Sequence, residues 1–141
     1  MCIRDSLLQW GTATYDFDGV ATNVGTTNIS GTSVNLSGSL DNEGLIVHTA
    51  TDLNVNNATI NNRADATYEI RSGQIDTNSG TQLFNNEGLI RKTGDTTATI
   101  DVPLLQMGGT VEVLAGALNM TRGGSHTVSY THLTLPTIYS V

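Results

Sequence analysis

The segment Asn42-Glu43-Gly44-Leu45-Ile46 returns unchanged as Asn86-Glu87-Gly88-Leu89-Ile90, an offset of 44 residues. Ala66-Thr67-Tyr68-Glu69-Ile70 lies between the two copies and Gly109-Thr110-Val111-Glu112-Val113 follows them, so the anchors 44, 66, 88 and 109 are spaced 22, 22 and 21 apart. Glu69-Ile70-Arg71-Ser72-Gly73-Gln74-Ile75-Asp76 aligns with Glu112-Val113-Leu114-Ala115-Gly116-Ala117-Leu118-Asn119 at an offset of 43. The unit is about 22 residues, in alternating pairs of about 44. A fixed period of this length constrains the fold strongly. One such unit cannot bury its apolar side alone and must stack on near-copies of itself.

Within each unit the apolar residues recur with period two, the spacing of a half-buried strand. Asp52-Leu53-Asn54-Val55-Asn56 and Thr110-Val111-Glu112-Val113-Leu114 show the pattern, and no window carries a helical stripe. Thr99-Ile100-Asp101-Val102 stops at Pro103, which cannot donate to a ladder. Asn56-Asn57, Asn61-Asn62, Asn85-Asn86, Gly108-Gly109 and Gly123-Gly124 mark the joints, where left-handed backbone is expected.

These features predict an all-β parallel β-helix, or β-solenoid, with coils of about 22 residues stacked about 4.8 Å apart. Ile46, Tyr68, Ile90 and Val111 fall at one equivalent position, read as inward. The other inward residues are Leu53, Val55, Ile60, Ile70, Ile75, Ile100, Val102, Val113 and Leu118. A parity slip of one would swap Leu45 and Leu89 for Ile46 and Ile90. Asn42 and Asn86 are the candidates for a corner ladder, with the intervening coil expected to break the contact. Residues 7–40 are less regular and read as one or two degenerate coils, or a distinct module. A β-sandwich also has short strands, but it shows no repeat at a fixed 22, and the aromatic residues are few.

At Asn42-Glu43-Gly44-Leu45-Ile46, Asn85-Asn86-Glu87-Gly88-Leu89-Ile90-Arg91-Lys92-Thr93-Gly94, Gly109-Thr110-Val111-Glu112-Val113 and Gly116-Ala117-Leu118-Asn119-Met120, the chain resembles the β-helical repeats of autotransporter passengers and filamentous-haemagglutinin-like surface proteins. The resemblance covers about residues 41–124. It implies a secreted bacterial stalk, adhesin or scaffold, an extracellular or cell-surface location, and glycans or proteins as partners of the full-length parent. It supplies no catalytic residue.

The two ends are similar to translated sequencing adapter. Residues 1–6 read as ATG TGT ATA AGA GAC AGN, and residues 128–137 as GTC TCT TAT ACA CAT CTG ACG CTG CCG ACG. The expected organisation is therefore an adapter-derived scar at 1–6, irregular β-rich coils at 7–40, solenoid repeats at 41–126 and an adapter-derived tail at 127–141. On this reading the chain is the middle of something longer, with an open sheet edge at either end.

Charge and ligand chemistry narrow the function. The net charge of −7 argues against nucleic acid, which requires a basic stripe. No apolar run approaches the roughly 18 residues of a membrane span. The single cysteine, Cys2, lies in the scar, so no cysteine metal site is expected. His48, the one interior histidine, reads as a surface residue. No metal, cofactor or catalytic residue is expected, and the chain reads as a non-enzyme.

The alternative is a β-helix polysaccharide-degrading enzyme, with Arg91, Asp95 and Asp101 as its candidates. Glycoside chemistry wants carboxylates about 5 to 9.5 Å apart, a spacing adjacent coils can supply. Arg91 and Lys92 are neighbours, however, and should face opposite sides of a strand. Asp16-Phe17-Asp18-Gly19 opens like a calcium loop but has Thr27 where position twelve needs Glu, so a turn is expected there. Four Asn-x-Ser/Thr sequons, at Asn28, Asn35, Asn57 and Asn119, match chance in so Asn- and Thr-rich a chain.

Overall fold

The computed structural model describes residues 7–123 together with the strand segments Cys2–Ile3, Val128–Ser129 and Thr137–Ser140. All regular structure in the described residues is β-strand, and every strand pairing is parallel. The chain winds as a β-solenoid of about 5 turns with coils of about 21 residues.

Each coil has three sides. The first is a seven-stranded sheet built from Leu7–Trp10, Thr26–Ile29, Leu45–His48, Thr67–Ile70, Leu89–Lys92, Thr110–Val113 and Val128–Ser129. The second and third are two halves of a ten-stranded sheet that bends at register shifts. Ala13–Asn23, Val34–Asn42 and Asp52–Asn62 run through both halves. From there the sheet forks. Gly73–Ser79, Thr97–Ile100 and Ala117–Met120 continue one half, while Leu83–Asn86 and Leu104–Gln106 continue the other. A bulge of this kind bends a strand while keeping most of its ladder.

The core is a set of columns. Ile46, Tyr68, Ile90 and Val111 are in register and fully buried. All nine other inward residues are buried too, whereas Leu45 and Leu89 face outward, half-exposed. Residues 7–40 belong to the same ladders rather than to a separate module. Trp10 pairs with Ile29, and Ile29 with His48, so the coils here are 19 residues long, against 22 for the next two. Trp10 stacks on Tyr15 at 4.6 Å and meets Phe17 at 5.7 Å, filling the first coil with aromatic rings.

Glycine is required where coils nearly touch. A Cβ on Gly88 would lie 2.4 Å from the carbonyl oxygens of both Arg63 and Ala66. This explains why the Asn-Glu-Gly motif repeats: the residue after Glu must have no side chain. Asn57 (φ 48°), Gly108 (φ 96°) and Gly123 (φ 73°) adopt the expected left-handed corners. Asn61-Asn62 and Asn85-Asn86 do not, because they end strands instead.

Candidate functional site

Three polar systems are built into the stack. The innermost is an amide ladder at the end of the third side. Asn23 Nδ2 donates to Asn42 Oδ1 at 2.8 Å, Asn42 to Asn62 at 2.8 Å, Asn62 to Asn86 at 2.8 Å, and Asn86 to Gln106 Oε1 at 2.7 Å. Each of the four Asn amides also donates to a first-side carbonyl, those of Leu45, Thr67, Leu89 and Thr110 in turn. The coil between Asn42 and Asn86 therefore carries the ladder through Asn62 instead of breaking it. Gln106 Nε2 turns back to the Gly109 carbonyl at 3.1 Å and closes the series.

On the outer face of the same strands a second series runs the other way. Asn85 Nδ2 donates to Asn61 Oδ1 at 2.8 Å, and Asn61 to Asp41 Oδ1 at 2.6 Å. Arg63 clamps it, with Nη2 at 2.5 Å from Asp41 Oδ2 and Nη1 at 3.3 Å from Glu87 Oε1. Asn85 Oδ1 is buried without a donor among the described residues.

The third system is inside the core. His48 is fully buried, not on the surface as its isolation suggested. Its Nε2 lies 3.1 Å from the Ala50 carbonyl, which can only accept, so Nε2 carries the proton and Nδ1 accepts from the Tyr68 hydroxyl at 3.1 Å. Burial pushes the His48 pKa down to about 4, partly opposed by the Ala50 bond. Burial also raises the Tyr68 pKa well above its ordinary value. Lys92 is likewise inward, and its ammonium donates to the carbonyls of Arg71 and Gly94. Burial lowers its pKa, with Asp95 opposing.

The structure does not gather Arg91, Asp95 and Asp101. Arg91 faces outward and pairs with Glu112 at 2.6 Å, while Asp95 sits exposed on the corner beyond Lys92. Asp101 follows the strand Thr97–Ile100 and is held by Thr121 and by Arg122 at 3.2 Å. The hydroxyl of Thr121, then Arg122, keep its carboxyl below the usual range. That is the wrong direction for the general acid of a glycosidase. Asp16 to Gly19 lie not in a closed turn but in the bulged strand Ala13–Asn23, where Asp16 accepts from Ser37 at 2.5 Å. No group of three or more His, Cys, Asp or Glu side chains that could hold a metal occurs among the described residues.

A concave feature does occur at the corner between the third and first sides. Regular corners take three steps, as from Asn42 to Leu45 and from Asn86 to Leu89. The corner from Asn62 to Thr67 takes five, and that from Gln106 to Thr110 takes four. The short Glu87-Gly88 corner is thus recessed between two longer ones. The result is an open groove of about 430 Å³ lined by Asp65, Ala66, Thr67, Glu87, Gly88, Leu89, Gly108, Gly109 and Thr110. Asp65 holds a left-handed conformation (φ 67°), is exposed, and has no hydrogen bond or ion pair among the described residues. The corner lengths that make this groove follow from strand register. No family model, curated protein or solved structure matches this chain.

Proposed function

We propose that this chain is a segment of a secreted bacterial surface protein, a β-solenoid stalk that carries an adhesive or scaffolding surface and performs no catalysis. The observation that supports this is the amide ladder, which ties five consecutive coils through buried side chains. Stability in such a stack comes from each coil–coil interface, so coils can be added without redesigning a core. Insertions at individual corners then place binding features on one edge without disturbing the ladders.

Long-read sequencing of the parent gene tests the proposal. The expected result is one reading frame with a secretion signal, many further coils of 19 to 24 residues and an anchor or translocator. A compact gene with a few coils and an acid–base cluster on one side would overturn it in favour of a polysaccharide-degrading enzyme.

A further inference from the structure

We propose that the groove between the Asn62–Thr67 and Gln106–Thr110 corners docks an arginine or lysine side chain presented by an extended segment of another protein. The inference deepens the surface-protein reading by naming a partner class for one edge of the stack.

The groove's dimensions follow from the stack. Its walls are two coil spacings apart, about 9.6 Å, which admits one extended side chain but not a helix. Gly88, Leu89, Gly108 and Gly109 are among its lining residues. Met107, 57 % exposed, precedes Gly108 in the chain. Such a lining suits an aliphatic stem lying flat with its charged end at the rim.

Two carboxylates, Asp65 and Glu87, line the groove, and the Arg63 guanidinium sits beside the second. Glu87 shares its carboxylate with Arg63 at 3.3 Å, and Asp65 has no counter-charge among the described residues. Among the described residues no cation is free to fill the groove. Arg63, Arg71, Arg91 and Arg122 each sit against a carboxylate, and Lys92 is buried. A second copy is disfavoured as occupant, since each copy carries a net charge of −7. A cationic partner meets an attractive field instead.

The test is an NMR titration of the isotope-labelled full chain. The probes are the capped tripeptide Gly-Arg-Gly and its neutral analogue with citrulline in place of arginine. The arginine peptide should shift amide resonances at residues 65–67, 87–89 and 108–110, and citrulline should not. Asp65→Asn, at an exposed position without partners, should leave the spectrum otherwise intact and weaken binding about threefold to fivefold. Raising salt from about 0.05 to 0.5 M should weaken it further. Equal shifts from both peptides, shifts spread over all acidic residues, or unchanged affinity in Asp65→Asn would overturn the proposal. Those outcomes leave the stalk reading standing, because its test is the architecture of the parent gene.

Discussion

His48 and Lys92 occupy the same inward position two coils apart, and each donates to the carbonyl two residues further along the chain, Ala50 and Gly94. Ile70 separates them in the column. The sequence period of about 44 thus has a physical counterpart between these two coils: each uses a polar side chain to satisfy its first corner, and the coil between packs isoleucine. The two substitutions expected to reveal this differ in charge, one neutral and one anionic. Lys92→Met keeps the stem and should change stability by no more than about 1 kcal/mol, whereas Lys92→Glu buries an anion beside two carbonyls and should cost about 3 kcal/mol or more. Chemical denaturation of both variants decides it.

The buried histidine makes the fold acid-sensitive. The pKa of His48 is near 4 when folded and about 6.5 when unfolded. The unfolded state therefore binds the proton more readily, and stability is lost as pH falls from about 6.5 to 4. The full loss is about 3 kcal/mol. Melting curves between pH 7.5 and 4 should show it, and His48→Ile, which continues the Ile29–Ile70 column, should flatten that part of the profile. An unchanged slope in His48→Ile would assign the acid sensitivity to other groups.

Removing one rung tests the inner ladder. Asn62→Ala leaves the Nδ2 of Asn42 without its side-chain acceptor and the Oδ1 of Asn86 without a donor, both buried. The expected cost is about 2 to 4 kcal/mol. Asn28→Ser, on the outer face of the first side, should cost less than about 0.5 kcal/mol in the same thermal melts.

The outer series ends at Asn85 because the next residue in register is Leu105. Leu105 is 45 % exposed, and the Oδ1 of Asn85 lacks a donor. Leu105→Asn should extend the series by one rung and raise stability by about 1 kcal/mol. A fall in melting temperature would show that the leucine contributes more by packing than the amide gains.

Core parity is tested by contrast. Ile90→Asp places a charge in a fully buried column and should cost about 4 kcal/mol or abolish folding, while Asn57→Ser at an exposed corner should stay within about 1 kcal/mol. Similar small shifts in both would reverse the assignment of inward and outward faces.

The sequence by itself determined the architecture of the repeats and their core. Period-two alternation and the recurring Asn-Glu-Gly motif were enough to place Ile46, Tyr68, Ile90 and Val111 in one inward column. Parity within a strand is a local property that every coil repeats. The tertiary structure alone decided the rest. Asn62 reaches the ladder from 20 residues after Asn42 and 24 before Asn86, so no constant period aligns it. His48 read as a surface residue in one dimension because its partners are a backbone carbonyl and a tyrosine 20 residues away. The groove arises from differences in corner length between neighbouring coils. Strand register absorbs those differences and converts them into relief on the surface, which a list of residues does not show until the coils are stacked.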